Sequence, residues 1–136
     1  MRSASASQFV RATPAEVTRR LDPATLIEYE GTFTVHDVQE TDEGAIVTAR
    51  ATGIQVMLEF EDREDGFRYA QQGAAGPFEA METTLRVRPE NEGSRVEIES
   101  HVSLGVPPAV LTDRIAAWKR RGELRRALRR LAADFE

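Results

Sequence analysis

Residues 110–135 read VLTDRIAAWKRRGELRRALRRLAADF, a helical period sustained longer than anywhere else in the chain. At about 100° per residue, Leu111, Ile115 and Trp118 fall on one line, with Gly122 next along it. A second line carries Val110, Ala117, Leu124, Leu128, Leu131 and Phe135. On an ideal helix the two lines lie roughly 130° apart, so one flat apolar partner covers both only if the helix bends or rotates near Gly122, the cheap place to bend. The other faces carry Lys119, Arg120, Arg121, Arg125, Arg126, Arg129 and Arg130. They read as a solvated basic surface weighted toward the C-terminus, where cations complement the helix dipole.

Such a helix needs an apolar bed, and the sequence before it supplies strands. Residues 32–38 alternate, 41–44 turn, 45–52 return, and Gly53 makes a tight second turn. Ile54, Val56, Leu58 and Phe60 mark one face of the next strand. After a turn at 62–66, residues 67–71 return, and 73–77 form a small-residue link. Residues 78–87 put Met81, Thr83, Leu85 and Val87 on one face. An acidic turn at 89–94 leads to the cleanest period-two strand, Val96, Ile98, Ser100, Val102 and Leu104, which ends at Gly105-Val106-Pro107-Pro108.

The N-terminal part begins with a strand over 3–11. A strong helix start follows, with Thr13 as N-cap, Pro14 at the first helical position and Glu16 completing a capping box. Asp22-Pro23 interrupts that helix, a second short helix covers 23–29, and Gly31 breaks it. The expected class is α+β: strand, two short helices, six consecutive antiparallel strands and a long helix, with about seven strands forming one curved sheet in a single domain over 1–136.

In an antiparallel meander successive turns alternate between the two ends of the sheet, so the turns at 40–44, 62–66 and 89–94 share an end, and all three are acidic. The opposite end holds Gly31, Gly53, the 73–77 link and the 105–108 approach to the helix, all small or apolar. The net charge of −5 is unevenly divided: residues 1–106 hold 10 basic and 19 acidic side chains, and residues 107–136 hold 8 basic and 4 acidic. The basic half of the helix is therefore expected near the acidic turns, each exposed pair contributing about 0.2 to 1 kcal/mol.

Composition excludes several functions. There is no Cys, hence no disulfide, thiolate nucleophile or Cys-ligated metal. No apolar run approaches the length of a membrane span and no signal peptide is evident, which makes the cytoplasm the expected compartment. A nucleic-acid role is disfavoured, because the acidic body repels phosphate and aromatics are not interleaved with the arginines. His36 and His101 both fall on outward positions and form no acid/base pair, and neither a phosphate loop nor metal-ligand spacing is present. No catalytic residue, metal site or cofactor is assigned.

The whole arrangement resembles the START-like, helix-grip or SRPBCC superfamily, whose relatives include the Bet v 1 allergens and the polyketide cyclase/dehydrase group. The resemblance rests on the Thr13-Pro14-Ala15-Glu16-Val17 segment after Phe9, on Leu21-Asp22-Pro23, on the six strands and on the closing helix around Trp118. It implies a helix-grip fold with an apolar cavity between sheet and helix, its main entrance at the glycine-rich end, for a lipid, polyketide or other hydrophobic ligand.

Inward positions on strand and helix nominate Phe60, Tyr69, Gln71, Met81, Thr83, Ser100, Leu111, Ile115 and Trp118 as cavity lining, within an inward set that also holds Phe33, Val56, Leu58, Phe67, Leu85, Ile98 and Val102. Gln71, Thr83 and Ser100 are the polar members able to hold a ligand head group or satisfy one another, and a buried Tyr69 hydroxyl requires a partner. The first reading is a soluble protein that binds or carries a hydrophobic small molecule, as monomer or homodimer. The second is a cyclase/dehydratase using Tyr69 with Gln71 or Thr83, and the third an interaction module on the basic helix. Should the helix not bend at Gly122, Ile115 and Trp118 are left on an outer stripe that suggests a dimer interface.

Overall fold

The computed structural model describes residues 2–72, 80–104 and 109–136, the side chains of 109 and 110 excepted. The 73–77 link, the start of the strand expected at 78, the 105–108 approach and the side chain of Val110 lie outside the described residues.

The described chain runs β1 (Arg2–Val10), α1 (Pro14–Arg20), α2 (Pro23–Glu30), β2 (Thr34–Glu40), β3 (Gly44–Ala51), β4 (Ile54–Arg63), β5 (Gly66–Gln71), β6 (Ala80–Glu90), β7 (Gly93–Ser103) and α3 (Ala109–Ala133). All seven strands form one antiparallel sheet in the order β1-β7-β6-β5-β4-β3-β2, so the first strand closes against the last. This is the α+β architecture expected from the sequence.

Local chemistry explains the elements. The Thr13 side chain accepts from Glu16 N and Glu16 reaches back to Thr13 N, the full capping box, with Pro14 in the first turn of α1. Asp22 caps α2 through Thr25 N at 2.8 Å. Gly31 ends α2 at φ +88°, a left-handed position where a Cβ would also lie 2.7 Å from the Arg126 guanidinium. The acidic turn expected at 89–94 tightens to the two residues Asn91 and Glu92, both at positive φ, because a two-residue hairpin with that twist matches the strands it joins.

Alternation decides what faces α3. Val56, Leu58, Phe60, Phe67, Tyr69, Met81, Leu85, Ile98 and Val102 are buried, as their period-two positions require, and Phe33 packs partly buried against them. The register then sets one inward row across six strands: Ala45 opposite Phe60, Phe60 opposite Tyr69, Tyr69 opposite Thr83, Thr83 opposite Ser100 and Ser100 opposite Ala4. Three hydroxyls therefore stand side by side in the middle of the core face.

The helix differs from its sequence-based reading. It is one unbroken helix from Ala109 to Ala133, and its buried stripe is continuous: Asp113, Ala116, Ala117, Arg120, Glu123, Leu124, Ala127, Leu128 and Leu131. No division occurs at Gly122, which is exposed with nothing near its would-be Cβ. The other line is turned to solvent: Leu111 and Ile115 are each 55% exposed and Trp118 is 73% exposed. Alanines and three charged residues, Asp113, Arg120 and Glu123, fill the inward turns where large apolar side chains were expected.

The basic half of the helix also finds a different partner. Arg126 donates to Glu30 O at 2.8 Å, and Arg130 donates to Tyr29 O at 3.0 Å and Glu28 O at 3.2 Å. These are the last carbonyls of α2, which lack partners within their own helix and carry the negative end of its dipole. The arginines expected to match the acidic turns instead cap α2 and clamp it to α3.

Candidate functional site

Arg120 descends from the middle of α3 onto the hydroxyl row and is only 2% exposed. Its Nε donates to Ser100 Oγ at 3.0 Å. Nη2 donates to Thr83 Oγ1 at 2.9 Å and to the Tyr69 hydroxyl. Nη1 donates to Glu30 Oε1 and, at 3.4 Å, to Glu123 Oε1. A guanidinium has five N–H donors, and here each one is matched to a named acceptor.

The surrounding groups are bonded to one another as well. Tyr69 donates its phenol proton to Glu30 Oε2 at 2.5 Å, and the hydroxyls of Thr83 and Ser100 are 2.8 Å apart. Thr32, just past the end of α2, donates to Glu123 Oε2. Phe60 stacks on the Tyr69 ring at 4.5 Å between centroids, and Phe67 meets Phe60 edge-on at 5.3 Å.

Burial raises the Glu30 pKa above the ordinary carboxylate value, and Glu123 adds to the rise, while Arg120 and the Tyr69 hydroxyl oppose it. Burial likewise pushes the Tyr69 phenol upward, so it stays protonated. For Arg120 burial acts downward but is outweighed by Glu30, Tyr69 and Glu123, which hold the guanidinium charged.

Two spaces adjoin this centre. The inner one is a cavity of about 20 Å³ bordered by Glu30, Tyr69, Gln71, Met81, Arg120 and Glu123 together with Ile27, Phe33, Val56 and Leu58, room for about one water. The outer one is a predominantly apolar groove of about 440 Å³ at the glycine-rich end, formed by Phe33, Ala51, Thr52, Ile54, Leu104, Ile115, Ala116 and Lys119. Thr32, Phe33 and Glu123 border both, so the Thr32–Glu123 bond and the Phe33 ring form the partition between groove and centre.

Among the residues nominated from sequence, Tyr69, Thr83 and Ser100 come together under Arg120, and Gln71 and Met81 border the inner cavity. Phe60 lies one step away, supporting the Tyr69 ring. Ile115 borders the outer groove. Leu111 and Trp118 are exposed and border neither space, which corrects their inward placement. His36 is exposed, and His101 bonds Glu99 at 2.9 Å. The residues missed were Arg120, Glu123, Glu30 and Thr32. For those on helices the signal was spacing: Arg120 follows Ala117 by three and precedes Leu124 by four, Glu123 follows Arg120 by three, and Glu30 follows Leu26 by four, positions that helix geometry assigns to the core line whatever their charge.

No helix among the described residues is long and apolar enough to cross a membrane. Among those residues no group of His, Cys, Asp or Glu is arranged to hold a metal ion.

A sheet gripping a long helix, with two short helices after the first strand, defines the helix-grip class. Over residues 1–136 the sequence matches the family "Polyketide cyclase / dehydrase and lipid transport", and the chain belongs to that family. Among solved structures, a START superfamily protein from Mycobacterium smegmatis is 11% identical with a TM-score of 0.71, the match covering 95% of this chain and 96% of that one. The di-domain ARO/CYC BexL from the BE-7585A biosynthetic pathway is 22% identical with a TM-score of 0.66, covering 98% of this chain and 47% of that one. The Aha1 dimer from Colwellia psychrerythraea is 12% identical with a TM-score of 0.66, covering 100% and 97%. At these identities the likeness is one of fold. No curated protein sequence matches the chain.

Proposed function

We propose that this protein binds or carries a hydrophobic small molecule, lipid-like or polyketide-like, whose body lies in the outer groove and whose polar end reaches the Arg120 centre. The observation that carries this reading is the adjacency of the two spaces: an apolar groove of ligand size shares the wall of Thr32, Phe33 and Glu123 with a buried polar centre. The inner cavity is too small for the ligand body, so entry beyond the groove requires the Thr32–Glu123 bond to part and Phe33 to move.

Nile red, an uncharged dye that brightens in apolar sites, tests this. Wild-type protein is expected to bind it, and Ile54→Asp, which places a charge in the groove, to weaken binding by at least about tenfold. Trp118→Asp, on the exposed helix stripe outside the groove, is expected to change it by less than about twofold. Absence of binding, or equal loss in both variants, overturns the reading. Sedimentation velocity on the same proteins separates the other occupant of the stripe: a dimer dispersed by Trp118→Asp would assign Leu111, Ile115 and Trp118 to a second copy of the chain.

The second reading is cyclase/dehydratase chemistry, favoured by the position of Tyr69 on the inner cavity and by the fold shared with the ARO/CYC protein BexL. Tyr69 would act there as a donor, since burial keeps its phenol protonated. Against it, that hydroxyl is already held by Arg120 and Glu30. Tyr69→Phe is expected to cost about 1–3 kcal/mol of stability by stranding those partners, measured by urea unfolding. Loss of turnover on a poly-β-ketone thioester with Nile red binding retained would establish the enzymatic reading, and unaltered turnover would remove Tyr69 from it. The third reading, a docking surface on the basic helix, has less support, because Arg126 and Arg130 are spent on the carbonyls of α2.

A further inference from the structure

The charge count at the buried centre defines the chemistry its occupant must bring. Two carboxylates, Glu30 and Glu123, face one guanidinium, Arg120. With both acids ionised the centre carries one negative charge in excess, in a setting where an uncompensated charge is costly. The single cation has nothing left to offer, because its five N–H groups are committed to Ser100, Thr83, Tyr69, Glu30 and Glu123. The acceptors are not exhausted. Glu30 receives Arg120 on one oxygen and Tyr69 on the other; Glu123 receives Arg120 and Thr32. A carboxylate has about four lone-pair positions, so each retains acceptor capacity, and both border the inner cavity while Glu123 also borders the groove.

From this geometry we infer that the site selects amphiphiles whose polar end donates hydrogen bonds, a protonated amine ahead of an alcohol, and rejects those ending in a carboxylate. The inference rests on the reading of groove and centre as a ligand site. A bound ammonium neutralises the excess charge and fills the remaining lone pairs of Glu123. An alcohol fills them without neutralising the charge. A carboxylate meets two like charges and a guanidinium with no spare donor. The upward displacement of the Glu30 pKa, caused first by burial and increased by Glu123, agrees with a centre short of positive charge. The other charged group on the groove is Lys119, which is exposed at the rim, where water and salt screen its attraction for anions.

Displacement of Nile red by dodecylamine, dodecanol and dodecanoate, three amphiphiles of equal chain length, tests the inference at neutral pH and below their aggregation concentrations. Dodecylamine is expected to displace the dye at a concentration at least about tenfold lower than dodecanoate, with dodecanol between them. In Glu123→Gln, which keeps the side-chain shape, the advantage of the amine over the alcohol is expected to collapse, and in Arg121→Ala, an exposed cation of α3 outside the groove, the order is expected to stand. Equal or tighter binding of dodecanoate, or an amine preference that survives Glu123→Gln, overturns the inference. Failure of Nile red to bind at all would instead overturn the ligand-site reading beneath it.

Discussion

Arg120→Met is expected to lower the unfolding free energy by about 3–5 kcal/mol, a large share of the roughly 5–15 kcal/mol that holds a domain folded. Methionine keeps most of the length and apolar volume, so the loss measures charge and hydrogen bonding more than a cavity. What remains after substitution is two buried carboxylates facing one another and three hydroxyls, on Tyr69, Thr83 and Ser100, each missing a donor. The penalty has a pH signature. Glu30 titrates above the ordinary carboxylate value because of burial, so its proton is held more tightly in the folded protein than in the unfolded chain. A group with a raised folded pKa contributes stability that is present below its unfolded pKa and lost as pH rises through the folded one. Removing the opposing Arg120 raises Glu30 further, so the deficit of Arg120→Met relative to wild type is expected to shrink as pH falls toward the carboxylate range. Chemical unfolding at several pH values checks both statements. Arg120→Met/Glu30→Leu/Glu123→Leu is expected to recover much of the loss, since replacing a whole buried ionic group by apolar side chains is tolerated where removing one member is not. A cost below about 1 kcal/mol for the single substitution would show that Arg120 is not the partner of these carboxylates.

Period-two alternation placed Tyr69, Thr83 and Ser100 on the inward face correctly because a strand side chain has only two directions to choose from. The helix starts at Thr13 and Asp22 were equally legible, being carried by residues within four positions of each other. Arg120 was not legible from hydropathy, which assigns an arginine to water. Its burial is supported by acceptors on four other segments of chain, Glu30 from α2, Tyr69 from β5, Thr83 from β6 and Ser100 from β7, and no local window contains them together. The same non-locality misdirected the basic half of α3. The acidic turns were the visible negative charges, but the carbonyls at the end of α2 carry only partial charges that no residue count records, and packing of α2 beneath α3 brings them to Arg126 and Arg130.

The expected cavity was altered by the same error. A helix presenting Leu111, Ile115 and Trp118 to the sheet would have bounded an apolar interior. The helix instead presents Ala116, Ala117 and Arg120 there, and the arginine fills the space with a bonded network. The apolar volume that remains is displaced outward to the groove between Ile54, Leu104 and Ile115. Ligand entry and the Thr32–Glu123 partition thereby become a single question, because the groove ends where that bond begins.

The orientation of α3 is itself open to measurement through a pair of alanine substitutions. Leu128 is buried on the core line, one turn beyond Leu124 and one before Leu131. Its truncation removes apolar area from water-free surroundings and leaves a cavity that neighbouring strands cannot close, so Leu128→Ala is expected to cost about 2–5 kcal/mol. Trp118 is the largest side chain of the helix and, on hydropathy alone, the one whose loss should matter most. At 73% exposure it buries little, and alanine is the better helix former, so Trp118→Ala is expected to change stability by no more than about 0.5 kcal/mol. Urea unfolding of the two variants at a protein concentration where wild type is monomeric decides between the orientations. The reverse order, a tryptophan that is costly and a leucine that is neutral, would require the helix to be rotated by the angle between its two apolar lines, and the Arg120 centre could not then exist.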